Sequence, residues 1–302
     1  MSLLSSHLQV HDGLLVALAE LLTVAERDLT IEEIRRYLQP PRLGDRTPDV
    51  IDLTVEAAQW LGLAQQRNDR LAASPELGAL DCRRIEARLP RLIRRGLLAT
   101  GRRPSDSGVE SQGRDLARAL AWFLAQDAWD PPPAFERVEG SAEDRQARQL
   151  PGGPQLVNST KWPSLCRWAI FLGLGTPDPI DSRRVVPDPT AAVREELHSA
   201  ERDTYSAREF VEFLAARCPV LDGGSIRVTV TESVVPSELP WEQDEAVISP
   251  SLSMAIGRLE HEGILVPERR ADTPVTERRS LTVPEGTSTM DYIRLRVRPP
   301  DD

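Results

Sequence analysis

The stretch "RRIEARLPRLIRRGLLATGRR", residues 83–103, sets Arg83, Arg84, Arg88, Arg91, Arg94, Arg95, Arg102 and Arg103 against a single acid, Glu86. A guanidinium is planar, always charged and shaped to fit a phosphate or a carboxylate. Arg84, Arg88, Arg91 and Arg95 recur at i, i+4, i+7 and i+11, one stripe of a helix, backed by Ile85, Leu89, Leu92 and Ile93. Such a stripe neutralises phosphates, and binding through it weakens steeply with salt. The plainer reading is a contact with an acidic protein surface, and Pro90 sits where it could interrupt the helix.

A second set of candidates lies near the end of the chain. Ser251, Met254, Arg258 and His261 follow i, i+3, i+7 and i+10 and so share a helical face, with Arg269, Arg270, Arg278 and Arg279 beyond it. Ser, Arg and His can donate to base edges or phosphates. Glu260, Glu262, Glu268 and Glu277 interleave with them, so solvated ion pairs explain the same residues equally well. No constellation points to catalysis. The "GLG" at 173–175 lacks the spacing of a phosphate loop and reads as a helix end, and His7, His11, His198 and His261 show no HxxxH relation. No nucleophile elbow is present. Glu32-Glu33 and Glu195-Glu196 stand near helix starts, where the dipole accounts for them. The expectation is a protein that is not an enzyme, with no catalytic residues, metal, cofactor or small-molecule substrate.

The elements that must hold these groups can be read from periodicity. Residues 12–26 are a helix, with Leu14, Leu18, Leu21 and Leu22 at helical spacing. Thr30 with Glu33 makes a capping box for the next helix, and Thr47-Pro48 opens a third that runs to the "LGL" at 61–63. "LAQQRNDRLAAS" is a hairpin turning at Asn68-Asp69. Helix, helix, helix, hairpin is the order of a winged helix-turn-helix. The C-terminal part repeats it, with Ser206 and Glu209 as cap and box, "SIRVTVTESVV" as a β-branched strand, a helix from Ser249-Pro250, and a wing pairing 264–270 with 290–298 across a long, mobile loop at 271–287. The third helix of the first module turns Asp49, Asp52, Glu56 and Gln59 outward, a face that phosphates would repel, so this module touches DNA by its wing (Arg67, Arg70) or not at all, and a protein-contact or structural role is the expected one. The middle is helical. The fold class expected is mainly α (α+β), with tandem winged-helix modules at 1–80 and 201–302 flanking a helical domain at 81–200.

Charge bounds the function. The 302 residues carry a net charge of −10, which excludes a histone-like grip on any phosphate backbone. The acids are uneven, and 81–118 holds 10 basic against 5 acidic side chains. No run of about 18 apolar residues exists to span a membrane. The N-terminal residues do not read as a secretory signal. Cys82, Cys166 and Cys218 lie too far apart for a disulfide framework. The cytoplasm is the expected location.

The tryptophan-rich centre, "NSTKWPSLCRWAIFLGLG" followed by "VVPDPTAAV", resembles DpdG, a family of bacterial gene clusters that install 7-deazaguanine bases in DNA and restrict foreign DNA. Asn158, Trp162, Arg167, Trp168, Leu172, Gly173, Leu174 and then Pro187, Asp188, Pro189 and Thr190 carry the resemblance. It implies an accessory protein of phage defence working beside other subunits of its cluster, helicase or nuclease among them, and assigns no catalytic role. Read from the residues alone, Trp162, Trp168 and Phe171 anchor a core. The expected function is DNA binding or positioning in that defence system. The alternatives are an adaptor whose acidic modules hold partner proteins, and a transcriptional regulator.

Overall fold

The structure, a computed structural model, describes residues 10–25, 27–39, 49–101, 113–132, 140–151, 157–284 and 286–296. The chain is mainly α with small sheets, and forms two compact units, residues 1–114 and 115–302. The arginine-rich helix falls within the first unit.

In the first unit, α1 (Asp12–Val24) buries Leu15, Leu18, Ala19 and Leu22. Strand β1 (Leu29–Thr30) leads into α2 (Ile31–Leu38). Thr30 Oγ1 accepts from the Glu33 amide at 3.2 Å, and Glu33 Oε2 accepts from the Thr30 amide at 2.9 Å, so the box satisfies two donors at the helix start. Arg27 also donates to Glu33, and these bonds hold its carboxyl down to about 2. Helix α3 (Asp49–Trp60) buries Ile51, Val55 and Ala58 and packs on α1. The cap expected at Thr47-Pro48 lies outside the described residues. Strands β2 (Ala64–Arg67) and β3 (Arg70–Ala73) turn at Asn68, φ 57°, and the sheet order is β1-β3-β2.

After a short α4 (Pro75–Gly78), α5 (Ile85–Gly101) runs uninterrupted through Pro90. One intrahelical donor is lost there, while Ile85, Leu89, Ile93 and Leu97, at successive turns, are fully buried and α5 packs on α1. A Cβ on Gly96 would collide with the Leu61 carbonyl oxygen, so only glycine allows α5 to cross the end of α3 this closely.

The second unit starts with α6 (Arg114–Leu124), buried on all sides from Ala119 to Leu124. It continues through α7 (Ala142–Gln149), α8 (Trp162–Phe171), an antiparallel hairpin of β4 (Gly175–Pro177) and β5 (Val185–Pro187), and α9 (Thr190–Leu197). Next come β6 (Thr204–Ser206), α10 (Ala207–Arg217), α11 (Ser225–Thr231), β7 (Val247–Ile248) and α12 (Pro250–His261). The chain closes with β8 (Leu265–Glu268), β9 (Arg279–Val283), β10 (Gly286–Met290) and β11 (Tyr292–Leu295). The sheet β6-β11-β8 repeats the first-third-second order of β1-β3-β2, and Ser206 with Glu209 repeats the capping box. The helices α3, α8 and α12 leave through the same turn. Gly62, Gly173 and Gly263 take φ of 75°, 71° and 72°, and the amide after each bonds five residues back, Leu63 to Ala58, Leu174 to Ala169 and Ile264 to Leu259.

Two expectations are overturned. The β-branched run 225–231 is helix α11, because Ile226 and Val230, one turn apart, bury together and carry Arg227 into the interior. The connection 271–287 is not an open loop. It holds β9 and β10, and β9 pairs in parallel with β7.

Capping explains why the second unit holds together. Side chains from distant elements reach the carbonyls at the end of α6. Arg227 Nη1 reaches the Ala121 oxygen at 3.0 Å, Ser251 Oγ the Leu124 oxygen at 2.6 Å, and Trp241 Nε1 the Ala125 oxygen at 2.9 Å. Arg227 is 1% exposed and pairs with Glu242, near Asp222. Burial pushes the Asp222 carboxyl up, offset by the Arg227 charge and by two bonds from Ser249. Trp122, Phe123 and Trp162 fill the core edge to face, and Trp122 Nε1 donates to Gln146.

Candidate nucleic-acid interface

The stripe expected over 84–95 is a surface of α5. Its buried aliphatic row, Ile85, Leu89, Ile93 and Leu97, faces the core, and the exposed residues of the helix, Arg88 and Arg95 among them, stand off that row. Arg84 sits in the single 3-10 turn before α5, started by Asp81, whose Oδ1 accepts from the Arg83 amide at 3.0 Å. Arg84, Arg88 and Arg95 are exposed, as is Arg83 beside them. Among the described residues their guanidiniums make no ion pair or hydrogen bond. Arg91 is half-buried, and Arg94 is buried on the flank of the row. Both have interaction partners. Arg102 and Arg103 lie outside the described residues. Sequence spacing singled out the row but did not single out Arg83, which the 3-10 turn leaves in the open.

The C-terminal set is different. Ser251 and Met254 are buried, so they do not face a ligand. Ser251 caps α6, and Met254 packs with Ala128 and Val186. The spacing places these two on one face, but α12 is covered there as well as along Leu252, Ala255, Ile256 and Leu259. Arg258 is ion-paired with the buried Asp188. His261 is exposed. Arg269 donates to the Thr289 carbonyl at 3.1 Å. Arg270 pairs with Glu268 at 3.0 Å and lies over the Tyr292 ring at 4.2 Å. Arg278 reaches Asp291, and Arg279 donates to the Thr276 and Arg278 carbonyls. Glu277, from the same segment, accepts from Ser206 Oγ at 2.6 Å and pairs with Arg208 at 2.9 Å. The segment is thus folded back onto the start of α10. In the first unit the hairpin arginines are also engaged, Arg67 with Asp28 at 4.0 Å and Arg70 with the Asp28 carbonyl at 3.1 Å. Asp52 on α3 is held by Arg35 at 2.6 Å, while Glu56 is exposed.

Among the described residues no three His, Cys, Asp or Glu side chains stand together in a way that could hold a metal ion. No helix there is long and apolar enough to cross a membrane.

The family model described as DpdG-like matches residues 1–273. The chain belongs to the DpdG-like family. This membership links it to the 7-deazaguanine DNA modification system. No curated protein and no protein of known structure matches the chain significantly. The match spans the α5 row and α12 and ends before β9, β10 and β11.

The residues that carried the DpdG-like resemblance have structural work in this chain. Trp162 and Trp168 are buried, and Trp168 meets Phe171 edge to face at 5.8 Å. Gly173 makes the helix exit. Asp188, 2% exposed, ties four elements together. Its Oδ1 accepts from the Thr190 amide at 3.1 Å and from the Thr190 hydroxyl, and its Oδ2 accepts from Thr176 Oγ1 at 2.9 Å and from Arg258. These four bonds satisfy the buried carboxyl group within the fold. Sequence reasoning missed this clasp, because Asp188 and Arg258 are 70 residues apart.

Proposed function

We propose that this DpdG-like chain is a non-enzymatic DNA-binding subunit of a cytoplasmic system that modifies and restricts DNA, and that it holds DNA through the arginine row of α5. The observation that carries the proposal is the exposure of Arg84, Arg88 and Arg95 without a protein partner among the described residues, on a chain whose net charge is −10. An acidic chain spends most cations on its own carboxylates, so a row left open is available to phosphates. The first unit has the order helix, strand, helix, helix, strand, strand of a winged-helix module, and its first-third-second sheet order recurs in β6-β11-β8 of the second unit, where α11, β7 and the β9–β10 hairpin are added; this supports the reading further. The test is binding of a labelled duplex to the full chain at two salt concentrations. Affinity falls with salt, and replacing Arg84, Arg88 and Arg95 by Ala lowers the slope of log K against log salt by about 2.7 if each meets one phosphate. An unchanged slope in that variant removes the proposal.

A second reading, an adaptor for other subunits of the cluster, has its own observation. Ile180 is 95% exposed at the tip of the β4–β5 hairpin, where Asp178 Oδ1 fixes the turn by accepting from the Ile180 amide at 2.8 Å. Co-purification with the products of the same gene cluster, lost in Ile180→Ser, would favour it over direct DNA contact.

A further inference from the structure

We infer that the α5 row grips the sugar-phosphate backbone of duplex DNA and reads no base, so that the contact is the same whether or not a guanine keeps its N7. This rests on the DNA-binding reading above and specifies which part of the DNA is touched.

Three features of the first unit lead there. The outward side of α5 offers no aromatic ring. Around the arginines stand Glu86, Ala87 and Ala99, all exposed, and the large exposed aromatic of this unit, Tyr37, belongs to α2. Proteins that hold single strands gain much of their affinity by stacking bases on aromatic side chains. With guanidiniums alone, the row gains from phosphate density instead.

The second feature is length. From Arg84 to Arg95 is 11 residues, roughly 16 Å at 1.5 Å per residue. Duplex DNA carries one charge per about 1.7 Å of axis, both strands counted, twice the density of one strand. A row this long meets phosphates at any register along a duplex, without needing a particular sequence.

The third is the neighbouring helix α3, which in modules of this order enters the groove. Its outward side carries the exposed Glu56 and an Asp52 already bound to Arg35. Carboxylates there oppose entry between two phosphate backbones. With α3 kept out of the groove, α5 is left to rest on the backbone.

Arginine can also read guanine, by donating to O6 and N7 in the major groove. A base with carbon in place of N7 lacks one of those acceptors, which makes it the discriminating probe. The full chain is titrated, at two salt concentrations, against a duplex with guanine, the same duplex with 7-deazaguanine, and the single strand. Backbone contact gives equal affinity for the two duplexes, to within about twofold, and weaker binding of the single strand with a shallower salt slope. Severalfold weaker binding to the 7-deazaguanine duplex overturns the inference and leaves the DNA-binding reading standing. A single strand bound as tightly as the duplex does the same. Absence of salt-dependent binding to all three probes overturns both.

Discussion

Two groups of arginines lie on this chain and differ in what surrounds them. Those around α5 have few acids near them, Asp81 and Glu86, and the guanidiniums of Arg83, Arg84, Arg88 and Arg95 are without partners among the described residues. Many of those in the second unit are taken up by acids of the same chain. Arg227 is buried against Glu242, Arg258 is bound to Asp188, Arg194 holds Glu262 at 2.6 Å, and Arg270 lies against Glu268 and Tyr292. The number of cations in a segment therefore says little about the charge it offers to a ligand. What decides is whether an acid or a carbonyl lies within reach in the folded chain, as the Leu124 and Ala121 oxygens do for Ser251 and Arg227.

The contrast can be broken most forcefully at Arg227. Truncation to Ala leaves Glu242 and Asp222 without their cation and removes one of the two donors to the Ala121 carbonyl, and should cost about 3–5 kcal/mol of stability. Chemical denaturation measures it, and wild-type stability in Arg227→Ala would mean that the inward arginines are as dispensable as surface ones. Next comes Arg258→Ala, expected to cost about 1–3 kcal/mol because a buried carboxylate loses a charged donor. Asp188→Asn on the same background should cost less than it does alone, and additive losses would deny that the two act as a pair. The α5 row should behave in the opposite way. Arg84, Arg88 and Arg95 replaced together by Ala should change stability by no more than about 0.5 kcal/mol each while weakening DNA binding.

The smallest effect concerns what the two units share. Glu33 in the first capping box is held at about 2 by Arg27 and the Thr30 amide, below its ordinary 4.5. A carboxyl whose folded value is depressed contributes stability above its unfolded value and loses it as pH falls through the folded one. The stability gap between wild type and Glu33→Gln should thus be full above pH 4.5 and close toward pH 2. Glu209, lowered by the Ser206 amide and by Arg202, should show the same trend. A gap that stays constant with pH in denaturation curves would contradict the assignment.

Local chemistry was readable in the sequence. Thr30 with Glu33, Ser206 with Glu209, and the glycines at 62, 173 and 263 announce helix ends through residues a few positions apart. The α5 row was readable for the same reason, since its spacing and its scarcity of acids are both local. Whatever depends on distant partners was hidden. Helical spacing groups Ser251 with Met254, but not the fact that α6 and β5 lie over them. The β-branched residues of 225–231 favour a strand until Ile226, Val230 and the buried Arg227 find partners that need a helix. The segment after β8 reads as loop because the strand that pairs with β9 lies about 30 residues earlier, at Val247–Ile248.

The crossing at Gly96 ties the height of the arginine row to a single backbone contact. With no side chain there, α5 rests directly on the Leu61 oxygen, and a methyl group in that gap would have to lift the helix or tilt it. Gly96→Ala would thus shift where the positive charges sit without altering their number, so the pose of the row can be varied independently of its valence.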